Sequence, residues 1–267
     1  MSKGILLVGC GKMGGALLRG WLADPAFGDV TVVDPVAADL PRDDRLTVVS
    51  DFGGVRDPAS AALVVLAVKP QVMADVLPAY AGLATAERVF LSVAAGKSID
   101  FFRRILGAEA RVVRAMPNIP VALGQGASGL FAGPGVDDAQ IALCDRAMRA
   151  AGSVEWVGDE KLIDAVTGVS GSGPAYFFYM VECLAAAGRK QGLSPEVADR
   201  LAQRTLWGAA SMVEQGDETP SVLRKNVSSP GGTTEAALGV LMKDGGLESL
   251  MDEAVAAAAA RGRELSD

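Results

Sequence analysis

The sequence predicts an α/β protein with a doubly wound parallel sheet in its N-terminal part and an all-helical C-terminal part. Through about residue 155, short runs of Val, Leu and Ile alternate with helix-like segments, as expected when helices cover both faces of a sheet. The first run ends in a glycine-rich turn. After about Gly158 the strand pattern stops and only helical patterns follow. We therefore expect one domain over residues 1–158 and a second over residues 159–267.

The predicted sheet consists of five continuous apolar runs, each bounded by turn residues. The runs are Gly4–Val8, Val30–Asp34, Ala62–Val68, Val89–Val93 and Val112–Ala115. Helical patterns lie between them over Met13–Ala23, Gln71–Ala81 and about Ile99–Leu106. Alternation of strand and helix in this way is typical of a doubly wound fold.

Start and stop signals predict five helices in the C-terminal part, the first with Ser172 as its cap. They cover Pro174–Lys190, Ser194–Gln215, a short segment from Thr219-Pro220, Thr233 or Thr234 to about Gly245-Gly246, and about Leu247–Arg263. The stretches Leu184–Gly188 and Val255–Ala260 carry almost no charge, and a helix that is apolar all round must be buried. We expect an oligomer interface; the alternative is a large core shared with the first domain.

Composition excludes several classes of protein. The net charge of −7 argues against a nucleic-acid partner. The chain has no histidine, which excludes a Ser-His-Asp triad, and its three cysteines match no metal-binding spacing, so no metal is expected. The apolar run at Ile5–Val8 is short and ends in a glycine turn rather than a signal-peptide cleavage site. A cytoplasmic protein without membrane segments is expected.

The glycine-rich turn has the spacing of a dinucleotide-binding motif. Gly9, Gly11 and Gly14 fit G-x-G-x-x-G between a predicted strand and a predicted helix, which is the context that the motif requires. Gly9 would allow the tight turn, Gly11 the approach of the pyrophosphate, and Gly14 the packing of helix on strand. This predicts a Rossmann domain, the alternative being a merely structural turn.

Asp34 ends the second predicted strand, where an acidic side chain usually accepts hydrogen bonds from the adenosine ribose and repels a 2′-phosphate. It therefore favours NADH over NADPH. Two alternatives stay open: Asp34 caps the turn at Pro35, or Arg42 and Arg45 bind a phosphate.

Other candidate cofactor contacts follow the later strands, because ligands of open parallel sheets lie beyond the strands' carboxyl ends. They are Ala67, Val68, Lys69 and Pro70, the small residues Val93–Gly96, and Asn118, which could orient the nicotinamide carboxamide or simply form a turn. Cys10 lies near a helix N-terminus, which could lower its pKa; a space-filling role is the alternative.

Two loops predict small anion-binding cradles, because hydroxyls and free N–H groups gather at helix starts. One is Asn226–Thr234, with two serines and two threonines around Pro-Gly-Gly, and the other is Ser170–Pro174. Beside a nicotinamide, such loops would hold a small carboxylate.

Five strings taken together resemble the pyrroline-5-carboxylate reductase family: VGCGKMGG, AVKPQ, MPNIP, GVSGSGPAYFF and NVSSPGGTTEAAL. The resemblance implies a Rossmann domain, a helical dimerisation domain, and a homodimer that often assembles further, commonly into decamers. It implies hydride transfer from NAD(P)H to 1-pyrroline-5-carboxylate, giving L-proline. The implied cofactor contacts are Gly11, Lys12, Met13, Lys69, Pro70 and Asn118. Asp34 departs from the Ser, Thr or Asn with Arg that many members carry, and this puts the usual NADPH preference in doubt.

The resemblance also assigns the substrate carboxylate to Ser229, Gly232, Thr233 and Thr234. A protonated cyclic imine already accepts hydride, so positioning and preorganised dipoles suffice without histidine. Thr234 is our candidate to hydrogen-bond the ring nitrogen; helix capping is its alternative role.

Two alternative functions are compatible with parts of the sequence. One is a 3-hydroxyacid dehydrogenase with Lys161, Lys190 or Lys225 as its base, and the other is a non-catalytic oligomer that senses nucleotides.

Overall fold

The computed structural model describes residues 4–38 and 40–265 and divides the chain into two compact units. The first extends to Gly171 and is joined by the residues from Ala257 onward, while the second is Ser172–Ala256. The first unit passes the predicted boundary at residue 158 because the next helix packs on the sheet: a Cβ on Gly129 would lie 2.6 Å from Val166 Cγ1. The compact units therefore divide the chain after Gly171, whereas the strand pattern ends at about residue 158.

Within the described residues the sheet has eight strands in the order β3-β2-β1-β4-β5-β6-β7-β8, and every neighbouring pair is parallel except β6–β7. The strands are β1 (Gly4–Val8), β2 (Val30–Val33), β3 (Leu46–Val49), β4 (Ala61–Leu66), β5 (Val89–Ser92), β6 (Val112–Met116), β7 (Gly126–Ala132) and β8 (Gly152–Trp156). The five predicted strands are confirmed. Three strands were not predicted: β3 and β8, which are partly exposed edge strands, and β7, which is rich in Gly, Ala and Ser.

Alternate residues of the central strands point to opposite faces and build two cores. Leu7, Val65 and Leu91 pack with α1 (Lys12–Ala23) and α4 (Asp138–Arg149). Their sequence neighbours pack on the other face with α2 (Met73–Val76), its flanking 3₁₀ turns and α3 (Ile99–Leu106). Helices on both faces confirm the doubly wound fold. Helix α4 was not predicted, although Asp137 and Gln140 form a capping box at its start.

The remaining helices follow without further strands, as predicted. They are α5 (Leu162–Val166), a π-helical turn (Thr167–Gly171), α6 (Gly173–Lys190), α7 (Pro195–Gln215), α8 (Pro220–Asn226), α9 (Thr233–Leu241) and α10 (Leu247–Glu264). Helix α9 ends earlier than predicted. Ser172 occupies the cap position of α6, but its side chain makes no capping hydrogen bond.

The second unit has a very small core of its own, made by Ala185, Ala198 and Ala202 with Val181. Large apolar side chains on α6 and α7 stay exposed, including Phe178 at 58% and Trp207 at 65%. Exposed apolar area of this extent is typical of an interaction surface. Across the part of the chain that the structure describes, no helix is long and apolar enough to cross a membrane.

Candidate active site

Four loops lie side by side at one edge of the sheet, because β1, β4, β5 and β6 are neighbours and run parallel. They are residues 9–14, 67–70, 93–98 and 117–118, so the structure brings together the candidate contacts predicted after these strands. The first two loops touch: a Cβ on Gly9 would lie 2.8 Å from Val68 Cγ1. This edge is where open parallel sheets bind their ligands.

The three motif glycines occupy three different environments. Gly9 has φ +89°, a left-handed conformation that favours glycine. A Cβ on Gly14 would lie 2.3 Å from Gly9 O, so α1 approaches the loop too closely for any side chain there. A Cβ on Gly11 would meet no atom of residues 4–38 or 40–265 within 4 Å.

Gly11 is also the cap residue of α1 and brings no side chain to the helix N-terminus. Lys12 beside it is exposed and Met13 is half-buried. The loop therefore offers open space in front of free helix amides, which fits the pyrophosphate of a nicotinamide dinucleotide.

Asp34 is held by the backbone around it. Its Oδ2 accepts a hydrogen bond from Cys10 N at 2.6 Å, and its Oδ1 accepts one from Val36 N at 2.8 Å. The turn-capping role is thus confirmed. Through its hydrogen bond with Cys10 N, the same carboxylate also links the glycine loop to the end of β2. Each oxygen keeps a lone pair for a ribose hydroxyl.

Arg45 does not bind a phosphate, contrary to one alternative. Its guanidinium carries five N–H donors, and all five are used: on both oxygens of Asp43 and on the carbonyls of Leu22, Asp24 and Phe27. These carbonyls lie at the opposite edge of the sheet from the glycine loop, because they belong to the last turn of α1 and to the segment between α1 and β2. Arg42 is exposed.

The expected lowering of the Cys10 pKa is wrong. Burial and the neighbouring Asp34 carboxylate raise the pKa of the thiol. Both effects disfavour the thiolate, so Cys10 acts as a half-buried packing residue in the glycine loop.

Asn118 connects the end of β6 to the segment before α6. Its Nδ2 donates to Ser170 O at 3.1 Å, and its Oδ1 accepts from Ala127 N at 2.9 Å. The predicted cradle at residues 170–174 begins in this segment, and its first two residues belong to the π-helical turn. The Ser170 hydroxyl donates a hydrogen bond to Val166 O at 3.1 Å. Single π turns are frequently found at functional sites.

The second predicted cradle lies in the second unit, at the start of α9. Gly232 is the cap residue and Gly231 has φ +69°. Among the residues described, the hydroxyls of Ser229, Thr233 and Thr234 have no hydrogen-bond partner, so Thr234 is not a capping side chain. Glu235 closes the loop by accepting a hydrogen bond from Gly231 N at 2.6 Å.

One partly buried ion pair, between Arg114 and Glu160, was not predicted from the sequence. Arg114 NH1 lies 2.7 Å from Glu160 Oε1, and the Arg114 side chain is only 8% exposed. The available signal was a charged residue inside the apolar run of β6. The lysines proposed for the dehydrogenase alternative, Lys161, Lys190 and Lys225, are all exposed.

Comparison with known proteins identifies the family. A family model described as pyrroline-5-carboxylate reductase dimerisation matches residues 160–265. The pyrroline-5-carboxylate reductase of Pseudomonas aeruginosa is 39% identical over 269 residues, covering 98% of this chain and 97% of that protein. The chain belongs to the pyrroline-5-carboxylate reductase family.

Solved structures of the reductase family share the whole fold. A pyrroline-5-carboxylate reductase from Coxiella burnetii matches with a TM-score of 0.89 at 34% identity, and 100% of both chains is covered. The pyrroline carboxylate reductase of Plasmodium falciparum, solved with NADP bound, matches with a TM-score of 0.82 at 26% identity, also over 100% of both chains.

These matches confirm the predicted family and its fold, a Rossmann domain followed by helices. The reductase family's activity, NAD(P)H-dependent reduction of pyrroline-5-carboxylate in proline biosynthesis, takes the place of the hydroxyacid dehydrogenase alternative. The matched dimerisation region includes the exposed apolar helices, which supports the predicted oligomer interface over the alternative of a large intrachain core.

Proposed function

We propose that this chain reduces 1-pyrroline-5-carboxylate to L-proline, with NAD(P)H supplying the hydride to the imine carbon when it is bound. The observation that carries the proposal is the glycine loop, where Gly11 leaves open space before the free amides of α1. The family match supplies the substrate class.

Residues that follow four strands, β1, β2, β4 and β6, hold the cofactor in this proposal. Gly9, Gly11 and Gly14 shape the pyrophosphate cradle, with Lys12 and Met13 at the first turn of α1. Asp34 receives the adenosine ribose and favours NADH, since a 2′-phosphate would meet its carboxylate. The P. falciparum relative was solved with NADP bound, whereas Asp34 leads us to expect a preference for NADH in this chain. The other proposed contacts are Ala67, Val68, Lys69, Pro70 and Asn118.

The loop before α9 holds the substrate carboxylate. Ser229, Thr233 and Thr234 carry free hydroxyls, and Gly232 begins a helix whose N-terminal amides favour an anion. Thr234 hydrogen-bonds the ring nitrogen. The chain contributes orientation and fixed dipoles, which is sufficient for a protonated imine.

The working protein is a homodimer, built through residues 159–267 and able to assemble further into a decamer, and it is cytoplasmic. Residues 1–158 form its dinucleotide-binding domain. The exposed apolar side chains of α6 and α7 support a dimer, because an apolar surface of this size needs a partner.

The test is oxidation of NADH and NADPH with 1-pyrroline-5-carboxylate, measured for wild type and three variants. Thr234→Ala should lower kcat and Ser229→Ala should raise KM for the imine acid, each by about tenfold or more for a lost hydrogen bond to a charged group. Thr47→Ala, on the exposed edge strand β3, is the matched control and should behave as wild type.

Each outcome has a separate meaning. Wild-type turnover in Thr234→Ala would remove Thr234 from the mechanism, and an unchanged KM in Ser229→Ala would place the carboxylate elsewhere. Cofactor binding by isothermal titration without turnover of any imine or keto acid would favour the nucleotide-sensing alternative.

A further inference from the structure

One carboxylate oxygen, Glu160 Oε1, joins two elements beside the cofactor edge. It accepts a hydrogen bond from Ile99 N at 2.8 Å and another from Arg114 NH1 at 2.7 Å. Ile99 is the first residue of α3, and Arg114 lies in the middle of β6. Glu160 itself stands just before α5, at the start of the segment that the dimerisation model matches.

This contact fixes position more than it adds stability. Removing an arginine and a carboxylate from water costs most of what their attraction returns. A single oxygen that accepts from two donors nevertheless determines where those donors lie relative to each other. Ser98 Oγ accepts from Phe101 N at 3.1 Å, so Ser98 and Glu160 together satisfy two of the open amides of α3.

The element held in this way is the loop of residues 93–98, which connects β5 to α3. It lies between the loops that follow β4 and β6, and its residues Ala94, Ala95 and Gly96 present mainly backbone. The loop is packed from the other side as well, because a Cβ on Gly96 would lie 2.6 Å from Leu265 O.

We propose that Glu160 is a positioning residue, which sets the 93–98 loop at the nicotinamide side of the edge through Ile99 and Arg114. This inference rests on the proposed cofactor site. A loop of small residues supports a flat ring only if its backbone stays in place, and a misplacement of about 1 Å can cost about a hundredfold in rate.

A matched control stands near the start of β6. Asp137 accepts from Arg111 NH1 at 2.8 Å and caps α4 by accepting from Gln140 N at 2.9 Å. It therefore combines an arginine and a helix start as Glu160 does, but away from the cofactor edge, since Arg111 precedes β6. Glu160→Gln and Asp137→Asn each remove one charge and keep an amide oxygen in its place.

The first measurement is hydrogen–deuterium exchange of the cofactor-free protein. Glu160→Gln should speed exchange of the amides in residues 93–102 by about threefold or more, because the loop opens locally more often. Asp137→Asn should leave these amides unchanged. Wild-type exchange in Glu160→Gln would overturn the proposal, whatever happens to the activity.

The second measurement is steady-state turnover. Glu160→Gln should lower kcat by about tenfold while KM for the imine acid stays within about twofold, and Asp137→Asn should change neither. Equal effects of the two variants would assign Glu160 a purely structural role and overturn the proposal. If Glu160→Gln does not fold, Glu160→Asp replaces it, because its carboxylate is one methylene short of reaching both donors.

Failure of the proposed function has a different signature. Wild type would then show no turnover, and the exchange of residues 93–102 would still decide the role of Glu160.

Discussion

Substitution of Gly11 and of Gly14 by alanine separates the ligand-facing role of the glycine loop from its structural role. At Gly14 the new Cβ would lie 2.3 Å from Gly9 O and 3.2 Å from Ala67 Cβ. The backbone oxygen cannot move aside as a flexible side chain would. At Gly11 the Cβ would meet no atom of the described part of the chain within 4 Å, and the extended backbone there, with φ −70°, suits alanine.

The expected magnitudes follow from these distances. Alanine inside α1 gains up to about 1 kcal/mol of helix propensity, but overpacking costs about 1–3 kcal/mol, so Gly14→Ala should lose a net 1–2 kcal/mol or so. For a chain of this size the Tm should fall by about 2–8 °C. Gly11→Ala replaces a tolerated cap residue and should lose only about 0.5 kcal/mol.

The two substitutions should affect cofactor binding in the reverse order. Gly11→Ala should weaken binding more, although Gly14→Ala lowers stability more. A methyl group on Gly11 would occupy the space in front of the α1 amides, so NADH and NADPH should both bind about tenfold weaker or more, which is about 1.4 kcal/mol. Thermal unfolding of the cofactor-free variants and isothermal titration with each cofactor measure the two effects.

Two results would refute this reasoning. Wild-type affinity in Gly11→Ala would mean that no pyrophosphate approaches this backbone. An unchanged Tm in Gly14→Ala would mean that α1 does not approach the loop as closely as the structure has it.

Three further predictions concern other parts of the first unit. Asp34→Asn should raise the NADPH-to-NADH ratio of kcat/KM by about tenfold, because a carboxylate about 5 Å from a phosphate repels it by about 1–2 kcal/mol in a largely aqueous setting; an unchanged ratio would contradict the role of Asp34. Trp21→Phe should lower the free energy of unfolding by about 2–3 kcal/mol, because it removes the 2.8 Å hydrogen bond to Ala147 O and part of a fully buried ring. A loss below about 0.5 kcal/mol in thermal unfolding would argue against that packing. The raised pKa of Cys10 leaves less thiolate at any pH than a free cysteine has. In a Cys183→Ser background, iodoacetamide should therefore modify Cys10 slowly at pH 8 and faster only at clearly higher pH. Fast reaction at pH 7 would refute this prediction.

Much of the fold was predictable because its signals are local. Continuous apolar runs identified β1, β2, β4, β5 and β6, since strands buried on both faces require them. The same rule failed for the edge strands β3 and β8, which are partly exposed, and for β7, where glycine and alanine carry little pattern. Proline in the first turn predicted α6 and α7 well, and at α7 the Ser194 side chain also caps the helix, because both signals act on neighbouring backbone.

The candidate site divided in the same way. The roles of Gly9 and Gly14 follow from spacing alone, because the motif exists only in one strand–turn–helix geometry. The roles of Asp34 and Arg45 did not, since each side chain had several plausible partners within reach of its loop. The structure attached Asp34 to the glycine loop and used every donor of Arg45 on carbonyls and Asp43.

Local sequence was enough to predict the fold class, the dinucleotide motif, the hydroxyl-rich loop before α9 and the family, because each is encoded in residues that are close along the chain. Which side chains are already engaged, and which remain free for a ligand, became clear only from the folded structure. It paired Glu160 with Arg114 and Ile99, residues that are 46 and 61 positions away. Such pairings depend on how strands and loops come together in space, and no local pattern of residues records them.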